Sequence, residues 1–89
     1  MTNEKNWFLY IIKTKNNKLY TGITTDVERR FEEHKSGKKG AKFFRGNTPV
    51  KIMYTEVCKN RSEASKREAH IKSLTRPQKD ALIKESKNE

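Results

Sequence analysis

Six consecutive apolar residues, Trp7-Phe8-Leu9-Tyr10-Ile11-Ile12, constrain the fold of this chain more than any other feature. The run is rich in aromatic and β-branched side chains and lacks polar alternation, the pattern of a strand covered on both faces. It is therefore expected at the centre of a sheet. It is also far too short to span a membrane, and shorter than a signal-peptide core, so a soluble, cytoplasmic chain with no membrane partner is expected.

Composition makes this run matter. Leu, Ile, Val and Phe make up only 17 of 89 residues, near the border of disorder for a chain of formal charge +10. Folding then depends on clustering, and the apolar residues do fall in short runs bounded by turn and cap signals. The length has room for one domain, expected over 1–89 with a core of about 7–84 and a frayed tail at 85–89. With 21 Lys and Arg against 11 Asp and Glu, nucleic acid is the leading class of partner, against the plainer reading of charge for solubility alone. Cys58 stands alone, which excludes an internal disulfide and a thiolate metal site, suits a reducing compartment and fits a small buried hydrophobe.

After the first strand, Lys15-Asn16-Asn17 supplies turn chemistry and Lys18 to Ile23 reads as a second, antiparallel strand. A two-residue turn at Asn16-Asn17 would put Tyr10 and Tyr20 on opposite faces. A three-residue loop over Lys15 to Asn17 pairs Tyr10 with Gly22 and Ile12 with Tyr20, placing both rings on one face. Thr25-Asp26-Val27-Glu28 has capping-box spacing and predicts a helix from about Asp26 to Lys35, ending before Gly37. On it Val27, Arg30, Phe31 and His34 share an arc of about 100°.

Residues 37–49 are basic and punctuated by glycine, a loop with room for one helical turn. Val50 to Val57 reads as a third strand. Asn60 with Glu63 caps a helix to about Leu74, and Thr75 with Gln78 caps another from about Arg76 to Lys84. The fold class is α/β of the α+β kind: a three-stranded antiparallel sheet with flanking helices in the order strand-strand-helix-strand-helix-helix.

Against this framework certain polar residues are out of place. Glu68 lies within about 60° of Ala64 and Ile71, so its carboxylate projects from a helix face that should be buried. It needs a cation there: either a Lys or Arg, or a hard metal ion whose other ligands are water and phosphate. Arg30 on the inward edge of the first helix suits a bidentate contact to phosphate, or else snorkels over Val27 and Phe31. His34, one turn on, is a structural histidine or a proton relay. Tyr10 and Tyr20, each taken alone, read as strand packing. In the loop, Lys38, Lys39, Lys42 and Arg45 interleave with Phe43 and Phe44, the mixture that grips phosphates and stacks on an exposed base, unless the rings pin the loop to the core.

Taken in order, Phe8-Leu9-Tyr10, then Tyr20-Thr21-Gly22 ten residues on, Arg30 eight residues beyond Gly22, His34, and Glu68 within Ala64-Ser65-Lys66-Arg67-Glu68 form a set that resembles the GIY-YIG nuclease family. The resemblance runs from about Trp7 to Leu74 and looks most like the family's small stand-alone branch. The chain departs from the pattern in having Phe8 where the first tripeptide begins with glycine and Thr21 in the middle of the second. No asparagine is placed downstream, since Asn88 lies in the tail.

The resemblance implies a metal-dependent endonuclease that hydrolyses phosphodiesters, with DNA ahead of RNA as substrate, weak or structure-based specificity and a role in repair or recombination. It implies Glu68 as the ligand of Mg²⁺ (or Mn²⁺), Arg30 as the stabiliser of phosphoryl charge, and a tyrosine, Tyr10 ahead of Tyr20, as the group that orients or deprotonates water. Tyr20 and His34 would position it. A tyrosine base of reference pKa about 10 needs a neighbouring cation to lower it. This chemistry requires both rings on one face, and so the three-residue hairpin loop. The alternative implied is an inactive nucleic-acid-binding module within a larger complex. A domain this small has little area for reading sequence, so a protein partner or DNA shape would supply specificity.

Overall fold

The computed structural model describes residues 6–37 and 39–87. The apolar run opens β1, Trp7–Thr14, which lies between β2, Leu19–Thr24, and β3, Pro49–Cys58, in one sheet of order β2-β1-β3. Both neighbours pair antiparallel. Both edges of β1 are thus hydrogen-bonded, and its side chains from Leu9 to Ile12 are buried on both faces. On one face Tyr10 and Ile12 pack with Phe44, Tyr20, Val27 and Phe31 under α1, Val27–Ser36. On the other, Leu9 and Ile11 pack with Ala64, Ile71 and Ile83 under α2, Arg61–Lys72, and α3, Arg76–Lys87.

The β1–β2 loop is the three-residue one. The amide of Thr14 donates to the carbonyl of Lys18 at 2.9 Å, and that of Asn17 to the carbonyl of Thr14 at 3.0 Å. Asn17 takes φ 64°, the left-handed conformation that asparagine tolerates and that closes a loop of this length. Tyr10 therefore lies opposite Gly22, and Ile12 opposite Tyr20. Against β3 the register slips between Ile11 and Ile12 and again between Lys13 and Thr14, local irregularities that sharpen the strand's twist.

Helix ends follow from caps, with one correction. The cap of α1 is Asp26 rather than Thr25: its carboxylate accepts the Arg29 amide at 3.0 Å, where a negative charge also meets the helix dipole. Thr24 supports it by accepting the Asp26 amide at 3.2 Å. Asn60 caps α2 through the Glu63 amide at 2.9 Å, and Thr75 and Gln78 exchange the two bonds of a capping box at the head of α3. Helix α3 continues past Lys84 to Lys87, because Ile83 is buried against the sheet and anchors its last turns. Residues 88 and 89 of the expected frayed tail lie outside the described residues.

Thr21, on β2, is buried with its hydroxyl unpartnered among the described residues. An unsatisfied buried hydroxyl costs about 1–3 kcal/mol, which a methyl of the same shape avoids. Thr21→Val should therefore raise stability by about 1 kcal/mol in urea unfolding. A decrease of that size instead would mean that the hydroxyl has a partner.

Candidate active site

Tyr10 belongs to the central strand, and its long side chain extends over β2. It crosses at Gly22. A Cβ at that position would stand 2.5 Å from the Tyr10 hydroxyl oxygen and 2.7 Å from Cζ. Two residues along β2, on the same face, Tyr20 brings its ring centroid to 6.2 Å from that of Tyr10. The two tyrosines thus share the face and neighbourhood that the three-residue register requires.

From the opposite side α1 presents His34, 1% exposed, with Nε2 at 2.9 Å from the Tyr10 hydroxyl oxygen. Its Nδ1 accepts the backbone amide of Ala41 at 3.1 Å. A backbone amide only donates, so Nδ1 holds a lone pair, the ring is neutral and Nε2 carries the hydrogen. His34 therefore donates to Tyr10. Burial, reinforced by the nearby Arg30 charge, pushes the His34 pKa down to about 4, in agreement with the neutral ring. Gly40 allows this close approach, since a Cβ there would meet His34 Cα at 2.7 Å.

Burial first, and then the Tyr20 phenol, push the Tyr10 pKa up to about 12. The Arg30 guanidinium beside the phenol pulls the other way and is outweighed. The expected lowering by a cation is thus corrected: in this state Tyr10 is a neutral phenol whose oxygen receives hydrogen bonds. Arg30 itself donates from Nη1 to Glu33 Oε1 at 2.9 Å and to the Lys39 carbonyl at 2.7 Å, so its Nε and Nη2 hydrogens are not spent on these bonds.

Glu68 lies on α2 between Ala64 and Ile71, both fully buried, yet its own side chain stays 24% exposed. The carboxylate thus stops at the rim, where it pairs with Lys72 at 3.2 Å, as the ion-pair reading expected. Its charge is near enough to the Tyr10 phenol to raise that group's pKa, which links α2 to the tyrosine across the edge of the sheet. Among the described residues no three His, Cys, Asp or Glu side chains gather as a metal centre. A single half-exposed carboxylate fits a hard ion such as Mg²⁺ or Mn²⁺, bound mainly by water and phosphate, and does not fit a protein-enclosed zinc.

The basic loop divides. Lys39, Lys42 and Arg45 are exposed, and Phe43 is half-buried with its ring 5.3 Å from Tyr20. Phe44 is corrected from a base-stacking residue to a core residue. In the 3-10 turn Lys42–Arg45 neighbouring side chains diverge by about 120°, and Phe44 turns inward, 4.3 Å from His34 and 4.8 Å from Tyr20. Lys38 lies outside the described residues. A surface cleft of about 400 Å³, lined by Phe8, Val27 and Ile52 with Asp26 and Glu28, excludes the tyrosines, and its acids repel phosphate. Sequence reading missed Gly40, the Ala41 amide and Glu33. Only Gly40 carries a signal, as a glycine in the loop leaving the helix of His34.

Tyr10 on β1, Tyr20 on β2, Arg30 and His34 on α1 and Glu68 on α2 are thus arranged around one small sheet, in the chain order of the set that resembles the GIY-YIG family. Residues 6–81 match the family model described as the GIY-YIG catalytic domain, and the chain belongs to the GIY-YIG family. It is similar to UPF0213 protein DP2720 of Desulfotalea psychrophila, 48% identical over 96% of this chain and 77% of that protein. UPF0213 protein YhbQ of Escherichia coli O127:H6 is 52% identical over 89% of this chain and 78% of the relative. Among solved structures, the solution structure of protein EF2693 from E. faecalis matches with TM-score 0.65 and 39% identity, covering 100% of this chain and 94% of that one. That of UPF0213 protein BH0048 from Bacillus halodurans matches with TM-score 0.57 and 40% identity, over 89% and 83%.

Gly22→Ala should cost about 1–3 kcal/mol in urea unfolding and displace Tyr10 from His34, whereas Gly46→Ala, where a new Cβ meets nothing, should stay within about 0.5 kcal/mol. Equal effects would mean that the crossing at Gly22 is not tight.

The buried neutral histidine also sets a pH dependence. Above pH 6.5 His34 is neutral in the folded and unfolded chains alike, and between 6.5 and about 4 only the unfolded chain takes up the proton. Stability should therefore fall as pH falls through that window, by on the order of 3 kcal/mol from this group. His34→Gln should flatten the urea midpoint against pH there. An unchanged slope would assign the acid sensitivity to other groups.

Proposed function

We propose that this protein is a metal-dependent endonuclease hydrolysing phosphodiester bonds in nucleic acid, DNA ahead of RNA, with structure-based or weak specificity suited to repair or recombination. The observation that carries the reading is the Tyr10 hydroxyl: its oxygen receives the His34 Nε2 hydrogen, it lies beside Arg30, and it feels the charge of Glu68.

In this reading Tyr10 first gives its own proton to solvent water, the donors on His34 and Arg30 favouring the phenolate that this leaves, and the phenolate oxygen then orients the attacking water and takes its proton. Tyr20, on the same face, keeps the phenol and the water in place. Arg30 turns its Nε and Nη2 hydrogens to the phosphoryl oxygens as charge gathers there. Glu68 is the protein ligand of the divalent ion. Bound there, Mg²⁺ or Mn²⁺ supplies Lewis-acid polarisation of the phosphoryl group. Exchange of Lys72 for the ion costs little, because a half-exposed pair is worth about 0–1 kcal/mol. Lys39, Lys42, Arg45 and the free side of Phe43 hold the substrate beside the site.

A second reading, an inactive nucleic-acid-binding module within a larger complex, is favoured by one observation: Arg30, Glu68 and Tyr10 each have a protein partner already, in Glu33, Lys72 and His34. A cleavage screen over branched, duplex and single-stranded DNA and RNA with Mg²⁺ or Mn²⁺ separates the two. Endonuclease function predicts cutting that EDTA abolishes, that Glu68→Ala removes while salt-sensitive binding persists, and that Tyr10→Phe lowers by about 10²–10⁴-fold. Binding with no cutting of any substrate would select the second reading.

A further inference from the structure

Charge on this chain is segregated. No Asp or Glu occurs in residues 7–25 or 37–55, while eight Lys and Arg do. Ion pairs among the described residues lie on the helices or join α2 to Glu56, and none involves Lys13, Lys15, Lys18, Lys42, Arg45 or Lys51. The fold then gathers these cations at one end. The Lys15 amide donates to the Thr48 carbonyl at 2.8 Å, Asn16 donates to the Asn47 side chain at 2.7 Å, and Asn47 donates to the Phe43 carbonyl at 2.8 Å. The hairpin turn and the basic loop are thereby joined in one surface.

Lys13 and Lys51 are direct cross-strand partners, a placement of like charges that opposes sheet pairing. With Lys15, Val50 and Met53 they line an open groove of about 360 Å³. Asp80, which reaches the hairpin through Arg76, is already paired with Arg76 at 3.0 Å, and the same Arg76 grips the Asn17 carbonyl at 2.6 Å. Among the described residues no acid neutralises the cations of the hairpin end, and the cross-strand lysines cost stability until an anion arrives.

We infer that the hairpin end, Lys13, Lys15, Lys18 and Lys51, is a second contact surface for the sugar-phosphate backbone of a nucleic acid, outside the tyrosine site. This rests on the nuclease reading, which it deepens. Lys18 immediately precedes β2, two residues before Tyr20 and about 6–7 Å from it along extended chain, a span of about two phosphates on one strand of a duplex. Phe43 bridges the two, its ring against Tyr20 and its carbonyl tied to Asn47. A strand held at the site continues across Phe43 onto Lys18 and, around the hairpin tip, onto Lys13 and Lys51 on the Leu9–Ile11 face, so the substrate extends several nucleotides to that side of the cut.

The test compares two triple variants of equal charge, all at exposed positions: Lys15→Gln, Lys18→Gln and Lys51→Gln on the hairpin end, and Lys59→Gln, Lys66→Gln and Lys84→Gln elsewhere. Binding is read by fluorescence anisotropy on a labelled DNA duplex of about 20 base pairs, its single strand and the matching RNA, across a salt series. Each lysine that no longer neutralises a phosphate lowers the slope of log affinity against log salt by about 0.7–0.9. The hairpin variant should therefore lower that slope by about 2–3, and the control by less than about 1. Equal decreases would overturn the inference, leaving net charge alone as the cause. A hairpin variant that binds nucleic acid normally but no longer binds polyglutamate would also overturn it, in favour of an acidic protein partner. Wild-type protein that binds no nucleic acid at low salt would remove the nuclease reading itself, whereas binding and cutting with no hairpin effect would remove only this inference.

Discussion

Strand β1 has no free side: β2 and β3 take its two edges, and two layers of helix take its two faces. A chain with so few large apolar residues needs such a strand, because one run of side chains then anchors both layers. The same enclosure leaves a large functional side chain on β1 without room to extend across the sheet unless a neighbour gives way. Gly22 is that neighbour, and the Tyr10 hydroxyl passes over it at a distance that any side chain would close. Core and chemistry are thus the same residue at two ends, the Tyr10 ring packing with Ile12 and its hydroxyl lying over Gly22 in a buried bond with His34.

Once there, the hydroxyl is held by a hydrogen-bond chain of fixed direction. The Ala41 amide donates to His34, and His34 donates to Tyr10. The direction is set by a backbone group that has no alternative, so it cannot reverse without moving the loop. Every member of the chain is satisfied, which lets a polar group as large as imidazole be buried without orphaned atoms. It also ties the loop that carries Lys39, Lys42 and Arg45 to the protonation of the site, since the Gly40-Ala41 backbone belongs to both.

What is legible in the sequence is what local physics decides. The apolar run places β1 at the centre, and cap spacing places the helix starts to within a residue, Asp26 replacing Thr25 because a carboxylate caps better than a hydroxyl. The hairpin is ambiguous between two registers until the chemistry of the tyrosines is considered, and Asn17 in the left-handed conformation is the local feature that decides it. Glu68 is conspicuous as an acid between two buried positions, but the depth of its burial depends on how α2 meets the rim of the sheet, which periodicity does not carry. Phe44 and Gly40 are tertiary in the same sense. Which of two adjacent rings turns inward is settled by a 3-10 turn seated on Tyr20 and His34, and a close approach of backbone to helix leaves only a glycine as its trace.

The partners of the polar groups explain how a site can be ordered before its substrate arrives and still give way to it. Arg30 is held by Glu33 at 2.9 Å and Glu68 by Lys72 at 3.2 Å, both on their own helices and both with solvent access. Pairs of this kind contribute little net stability, yet they restrict long side chains that would otherwise sample many rotamers. Replacing Lys72 by a divalent ion, or turning Arg30 to a phosphate, exchanges one charge-assisted contact for a stronger one at small cost in ordering. The buried bond between His34 and Tyr10 is of the opposite kind, since breaking it would leave two desolvated groups unsatisfied. The rim is built to be exchanged and the interior to stay, and the Tyr10 hydroxyl lies where the two meet.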